Sequence, residues 1–375
     1  MRIAYVINSL EGGGAALPVP ALARVLVDHG ATVEIFALTR RDGRSLAAME
    51  AAGLLVHVRP GGTTDHLAAL AWLDRRMAKW RPDVIWTSLS RATLLGQLVG
   101  RRRGVPVVSW QHNAHLKPVN RVLLRATQRL STLWIGDSHS ITALTAQRLG
   151  VPAERLAAWP LFAADADASR AEPWRRGETV RVGSLGRLHP AKGYDVLIAA
   201  LARMRAEGFR PPVPFDVTIA GEGERRGQLE GALAAAGIGN VRFPGFAERP
   251  REFLANLHLY LQPSRYEGLC IAAHEAMQAG LPTLVSAVGE LPYSARNGET
   301  GLVVSPDNPE ALAQALVWML SNPERLADMG AAARARVLDL FSGPAFAQAG
   351  ADVVARLSFR RSGVTTGPME FYSAR

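Results

Sequence analysis

The sequence predicts an α/β protein built as two doubly wound parallel-sheet domains, and three observations carry that prediction. Short apolar runs of strand length alternate with helix-patterned stretches along almost the whole chain. At 375 residues the chain is longer than one core commonly organises. One segment, 163–178, interrupts the alternation midway, rich in Ala, Asp and charge and carrying Pro173.

In chain order, the first domain spans 1–162, with strand-like runs at Ile3–Ile7, Thr32–Ala37, Val56–Val58, Val84–Thr87, Val105–Trp110 and Leu133–Gly136. Stretches such as Pro20–His29 and Leu67–Lys79 have helical spacing. Strands that are apolar throughout belong in a parallel sheet covered on both faces. After the linker 163–178, a second domain at 179–345 repeats the pattern at Val180–Leu185, Phe215–Ala220, Val241–Phe243, Leu257–Gln262, Thr283–Ser286 and Gly301–Val304. A C-terminal helix at Phe346–Leu357, placed to return to the first domain, leads into an aperiodic tail ending at Arg375. Two such domains are expected to turn the carboxyl ends of their sheets toward an interdomain cleft, where open α/β sheets bind ligands.

Composition narrows the function classes. The single cysteine, Cys270, excludes an intramolecular disulfide and a Cys-based zinc cluster. It reads as a small buried hydrophobe, with a catalytic nucleophile as the alternative. The formal charge of +10 favours anionic partners. Nucleic acid is not expected, because no basic run interleaved with aromatics and no zinc-finger spacing is present. The start, Met1–Leu10, has only one positive residue, a short apolar run broken by Asn8 and no small-residue cleavage site, so it is not read as a signal peptide. With no apolar run long enough to span a bilayer, a cytoplasmic protein is expected, either free or peripheral on the inner face of the membrane.

The densest signal runs from Ser264 to Pro282, after a strand and into a helix closed by Gly280 and Pro282. It places Glu267 and Gly268 in the turn and Glu275 about two turns into the helix, with free N–H groups near Leu269, Cys270 and Ile271 suited to a diphosphate. Taken singly, Glu267 reads more readily as a solvated loop residue and Glu275 as a surface helix residue. As a whole the segment resembles the Glu-x7-Glu motif of retaining GT-B glycosyltransferases, above all glycosyltransferase family 4. The resemblance implies a GT-B fold of two Rossmann-like domains, with Glu267 on the donor-sugar hydroxyls and Glu275 on the ribose. His274 stands where the family carries an apolar residue, and the pattern assigns it nothing.

Gly186-Arg187-Leu188-His189-Pro190-Ala191-Lys192-Gly193 follows a strand end. Arg187 and Lys192 there suit a departing diphosphate, and the family carries the same pair in this loop. Gly221 and Glu222 resemble the turn lining the nucleotide pocket, and Phe246 closes the segment resembling the one whose backbone reads the base. In the first domain, Gly13 and Gly14 of Glu11-Gly12-Gly13-Gly14 follow the first strand and are expected to open a helix, and in the family this turn approaches the donor phosphate and sugar. His112, in Gln111-His112-Asn113, corresponds to the family histidine facing the reacting sugar, with a capping or core histidine as the alternative and His115 as a nearby competitor. Asp165-Ala166-Asp167 matches a metal-binding Asp-x-Asp but lies in the linker. No metal site and no cofactor are expected beyond the nucleotide-sugar, UDP-linked in preference to GDP-linked.

Arg121, Arg125 and Arg129 follow Arg101–Arg103 and Lys117 at helical spacing beside Val122, Leu123, Leu124 and Leu130. This basic amphipathic stretch either meets anionic lipid or a phosphorylated acceptor, or is the solvated face of an ordinary helix. The resemblance implies a retaining, metal-independent transferase moving a sugar from a nucleotide diphosphate to a hydroxyl of a glycan, lipid-linked or small-molecule acceptor. A GT-B-shaped epimerase or phosphorylase, or a non-catalytic sugar-nucleotide binding module, are the rivals.

Overall fold

The computed structural model describes residues 1–112 and 116–361. Contacts divide it into two units, Met1–Leu161 with the chain from Pro344 onward, and Phe162–Gly343. The GT-B architecture is present as two Rossmann-like parallel sheets, of seven and six strands.

The first unit runs β1 (Arg2–Ile7), α1 (Val19–Asp28), β2 (Thr32–Ala37), α2 (Leu46–Ala51), β3 (Leu55–Val58), α3 (His66–Trp80), β4 (Val84–Ser88), α4 (Ser90–Arg103), β5 (Val107–Gln111), α5 (Pro118–Thr127), β6 (Leu133–Gly136), α6 (His139–Leu149) and β7 (Leu156–Ala158). Its strand order is β3-β2-β1-β4-β5-β6-β7. Every residue of β4, β5 and β6 is buried, which is why apolar residues dominate these strands, with Thr87, Ser88, Ser109 and Gln111 as buried polar exceptions. The chain reverses direction across the sheet between β1 and β4, the position where open sheets hold ligands.

The second unit runs β8 (Val180–Leu185), α7 (Tyr194–Ala206), β9 (Phe215–Ala220), α8 (Arg226–Ala235), β10 (Val241–Gly245), α9 (Pro250–Ala255), β11 (Leu259–Gln262), α10 (Ile271–Gln278), β12 (Thr283–Ser286), α11 (Leu291–Ser294), β13 (Gly301–Val304), α12 (Pro309–Ser321) and α13 (Leu326–Leu340). The order β10-β9-β8-β11-β12-β13 puts its switch point between β8 and β11. A core around Val182, Leu197, Ile219, Leu259 and Leu316 fills one face of this sheet.

Residues 163–178 are fastened to the second unit. Ala164 bridges to Ser342, Ala171 N donates to Ala279 O, and Arg334 reaches Ala166 O. Asp165, the first acid of the Asp-x-Asp match, pairs with Arg251 at 3.0 Å. The last helix, α14 (Gly343–Arg361), is longer than the expected Phe346–Leu357 and belongs from Pro344 to the first unit. Phe346 lies 5.5 Å from the Trp159 ring, and Arg356 donates to Leu156 O and Glu154 O. The tail beyond Arg361 lies outside the described residues.

Candidate active site

In the second unit, strand order explains which distant residues meet. β8 and β11 are neighbours, so the loops at their carboxyl ends converge although about 75 residues separate them. Lys192 Nζ lies 2.7 Å from Glu267 Oε1. Ser264 Oγ donates to the same oxygen at 2.6 Å and Gln262 Nε2 at 3.2 Å. Tyr260 OH donates to Gln262 Oε1 at 2.7 Å and thereby orients that amide. These three donors converge on Oε1, and Oε2 takes none of those bonds. Burial is the largest single influence on Lys192 and works against its charge, but Glu267, Cys270 and Tyr194 together outweigh it and the net shift is upward. The ammonium is therefore held charged in a largely dry place.

Close backbone approaches fix the loops around this pair. A Cβ on Gly193 would lie 2.0 Å from Pro263 O, one on Gly221 2.0 Å from Gly186 O, and one on Gly289 2.3 Å from Gly268 O. Gly193 also sits at φ +66, a conformation costly for a side chain. Leu188 N donates to Glu222 O and Gly221 N to Gly245 O, so the loops after β8, β9 and β10 form one surface. Arg265 adds a two-pronged grip on Asp195, with both bonds at 2.8 Å. Arg187 is exposed and joins none of these contacts. Glu222 is exposed, and Phe246, half-buried, directly follows β10, which runs two residues past the expected Phe243.

The glutamate motif folds differently from its sequence expectation in one respect. α10 begins at Ile271, so Glu275 is one turn inside it and not two. The cause is Cys270, which adopts a left-handed φ of +64 and delays the helix. The N–H groups of Leu269, Cys270 and Ile271 find no acceptor among the described residues. Leu269 and Cys270 are buried, and burial pushes the thiol far up, which fits a hydrophobe and not a nucleophile. Burial also raises the Glu275 carboxyl, with Arg251 opposing.

His274, unassigned in sequence, is fully buried. Its Nδ1 lies 3.0 Å from Cys270 O, and Nε2 lies 2.7 Å from Ser294 Oγ. A carbonyl can only accept, so Nδ1 carries the proton and Nε2 accepts from Ser294. The ring thus ties the left-handed residue to α11.

In the first unit, His112 directly follows β5. Its Nε2 is 2.7 Å from Ser88 Oγ at the end of β4, and its ring stacks on Trp110 at 5.6 Å. Asp137 Oδ2 is 4.0 Å from Nδ1. Burial lowers the His112 pKa to about 3, so the ring is neutral near pH 7. Ser88 and Asp137 were missed in sequence; both sit at the ends of apolar strands, the one signal that could have found them. Gly13 and Gly14 occupy a turn, and α1 starts only at Val19 behind Pro18, so the glycines do not open the helix. A Cβ on Gly13 would meet nothing within 4 Å. Asn113 and His115 lie outside the described residues.

Arg121 and Arg125 lie on α5, which buries Leu124 alone. They line a groove with Val122, Gln147 and Arg148, whereas Arg129 is exposed outside that lining.

The family model described as glycosyl transferases group 1 matches residues 165–336, and the one described as glycosyltransferase family 4 matches residues 12–163. The chain is 32% identical over 307 residues to a glycogen synthase of Mycobacterium tuberculosis (strain ATCC 25618 / H37Rv), covering 73% of this chain and 69% of that one. It is 29% identical to the D-inositol 3-phosphate glycosyltransferase of Streptomyces griseus, covering 92% of this chain and 84% of the relative. Among solved structures, Anabaena HepE in complex with UDP-glucose has a TM-score of 0.81 at 21% identity, covering 95% of this chain and 99% of that chain. Sucrose-phosphate synthase from Thermosynechococcus elongatus has a TM-score of 0.77 at 20% identity, with 96% and 100% covered.

Proposed function

The chain belongs to the family 4 glycosyltransferases, and from that premise we propose that it transfers a sugar from a UDP-linked donor to an acceptor hydroxyl with retention of anomeric configuration. The observation that carries this reading is the meeting of Lys192 and Glu267 at the switch point of the second sheet. Glu267 Oε2, outside the three bonds to Oε1, takes a donor-sugar hydroxyl. Lys192 and the exposed Arg187 receive the charge that develops on the departing diphosphate, and the N–H groups of Leu269–Ile271 add their dipoles. Glu275, poorly hydrated where it sits, accepts from the ribose. Neutral His112 uses Nδ1 toward a hydroxyl of the reacting sugar.

The transfer breaks the bond from the anomeric carbon to the diphosphate oxygen. The acceptor oxygen bonds that carbon on the same face, and its proton passes to the departing diphosphate. In this reading the leaving charge rests on side chains and amides, so a chelator leaves the rate unchanged. The HepE complexes with UDP and UDP-glucose support UDP over GDP as the carrier. The names of the relatives divide between a polysaccharide and an inositol phosphate, so the acceptor is assigned only as a hydroxyl of a glycan, lipid-linked or small molecule. The basic face of α5 supports work at the inner face of a membrane. No helix among the described residues is long and apolar enough to cross one.

Incubation with UDP- and GDP-sugars, with and without an acceptor panel, tests the proposal through nucleotide release. UDP release that requires acceptor, and a product keeping the donor's anomeric configuration by NMR, is the expected result. A free epimer formed without acceptor, or binding without turnover, would reject it.

A further inference from the structure

α5 and α6 frame a groove of about 440 Å³ lined by Arg121, Val122, Arg125, Gln147 and Arg148. Among the described residues no carboxylate pairs with any of these three arginines. The surrounding sequence offers little to pair with: residues 84–153 hold nine Lys or Arg and one acid, Asp137. Asp137 is itself buried. Three guanidinium groups around one groove repel each other, and a phosphate accepts from all of them.

The same helix exposes apolar surface beside the charge. Side chains turn by roughly 100° per residue along a helix, so the buried Leu124 defines the inner face. Arg121 and Arg125 then fall on one flank, Val122 next to them, and Val119 and Leu123 beyond. Val119 is 68% exposed, Val122 64% and Leu123 44%. An arginine flank beside an exposed apolar strip suits the boundary of an anionic bilayer, where both find partners.

We propose that this groove seats the phosphate of an anionic phospholipid headgroup, with Val119, Val122 and Leu123 entering the boundary between headgroups and acyl chains. The proposal deepens the membrane-facing part of the reading above and rests on it. It adds Arg148 of α6, which no sequence pattern indicated.

The test is co-sedimentation of the full chain with vesicles of phosphatidylcholine alone and of phosphatidylcholine with phosphatidylglycerol, with folding of each variant checked by circular dichroism. Wild type is expected to bind only the anionic vesicles and to release as salt rises. The triple variant Arg121→Glu/Arg125→Glu/Arg148→Glu should lose at least about tenfold in partition coefficient, as should Val119→Ser/Val122→Ser/Leu123→Ser. Arg148→Gln alone, the gentler variant should the triple reversal unfold, should lose about fivefold. Equal binding to neutral vesicles, or unchanged binding by the arginine variants, overturns the proposal. Unchanged binding by the apolar variant overturns the insertion. Thermal protection by inorganic phosphate without vesicle binding overturns the lipid in favour of a soluble phosphorylated ligand. Donor binding, read separately from the thermal shift of the unaltered chain with UDP-sugars, distinguishes failure here from failure of the transferase reading.

Discussion

At the scale of single residues, Lys192 and Glu267 should not behave alike. Lys192→Ala leaves the buried Glu267 carboxylate with neutral donors only, and should cost about 3 kcal/mol in denaturant unfolding. Glu267→Gln keeps a hydrogen-bonding group of the same size, so stability should change less while kcat/KM falls about 100-fold. Cys270 offers a test of backbone strain, since its φ of +64 suits glycine. Cys270→Gly and Cys270→Ala both remove the thiol, but only the first relieves the strain. The glycine variant should be the more stable by about 1 kcal/mol in chemical denaturation. His112 sets a pH dependence. Its folded pKa of about 3 lies below the ordinary value near 6.5, so below about pH 6.5 the unfolded state takes up the proton first. Stability therefore falls as pH falls from there toward the folded pKa. Between about pH 7.5 and 5 the loss from this residue is about 2 kcal/mol, and His112→Gln should lose that much less over the same range. Some pH dependence should remain, because burial lowers His258 to about 4 and also lowers His274.

At the scale of elements, the glycines separate structural need from ligand contact. Gly193→Ala and Gly221→Ala each drive a Cβ to 2.0 Å from a carbonyl oxygen, a clash that no side-chain rotation relieves. Each should destabilise by at least about 2 kcal/mol, with loss of activity following the loss of fold. Gly13→Ala meets nothing within 4 Å. Its melting temperature should hold while donor affinity drops, if the turn approaches the donor as the family resemblance implies. An unchanged donor affinity, read by titration, would remove Gly13 from the site. The same contrast explains what was legible in the sequence. β2, β6, β8 and β9 could be bounded from sequence because each is a short apolar-rich run between turn signals. β6 is buried throughout, and in β2, β8 and β9 a single charged residue, Glu34, Arg181 or Asp216, stands between apolar neighbours. β7 could not: Leu156–Ala158 is three residues in an Ala-rich stretch and carries no period. Glu267 and Lys192 were visible as motifs, yet their meeting depends on β8 lying beside β11, and strand order leaves no mark on local sequence. The late start of α10 was hidden for a related reason. A left-handed cysteine is held from outside, by the buried His274 gripping its carbonyl, and not by its own preference.

At the scale of the whole molecule, α14 connects the chain's end to the stability of the first unit alone. Its Gly350 packs so closely that a Cβ would stand 2.5 Å from the Trp159 ring and 2.6 Å from Val25. Trp159 stacks on Trp110 at 5.1 Å and meets Trp86 at 6.1 Å. Trp110 in turn carries the ring of His112. A larger residue at position 350 therefore pushes on an aromatic stack that ends at a proposed catalytic residue. Close packing makes such a stack transmit the displacement instead of absorbing it. Gly350→Leu should destabilise the first unit by about 2–3 kcal/mol and lower kcat, while the second unit, with its own core and its Lys192–Glu267 pair, stays intact. Calorimetry with and without UDP separates the two. A nucleotide bound to the second unit at 100 times its Kd should raise that unit's stability by about 2.7 kcal/mol in wild type and variant alike. If Gly350→Leu instead abolishes the UDP-dependent rise, the nucleotide site does not lie within the second unit alone. If it leaves kcat unchanged, the tryptophan stack does not position His112.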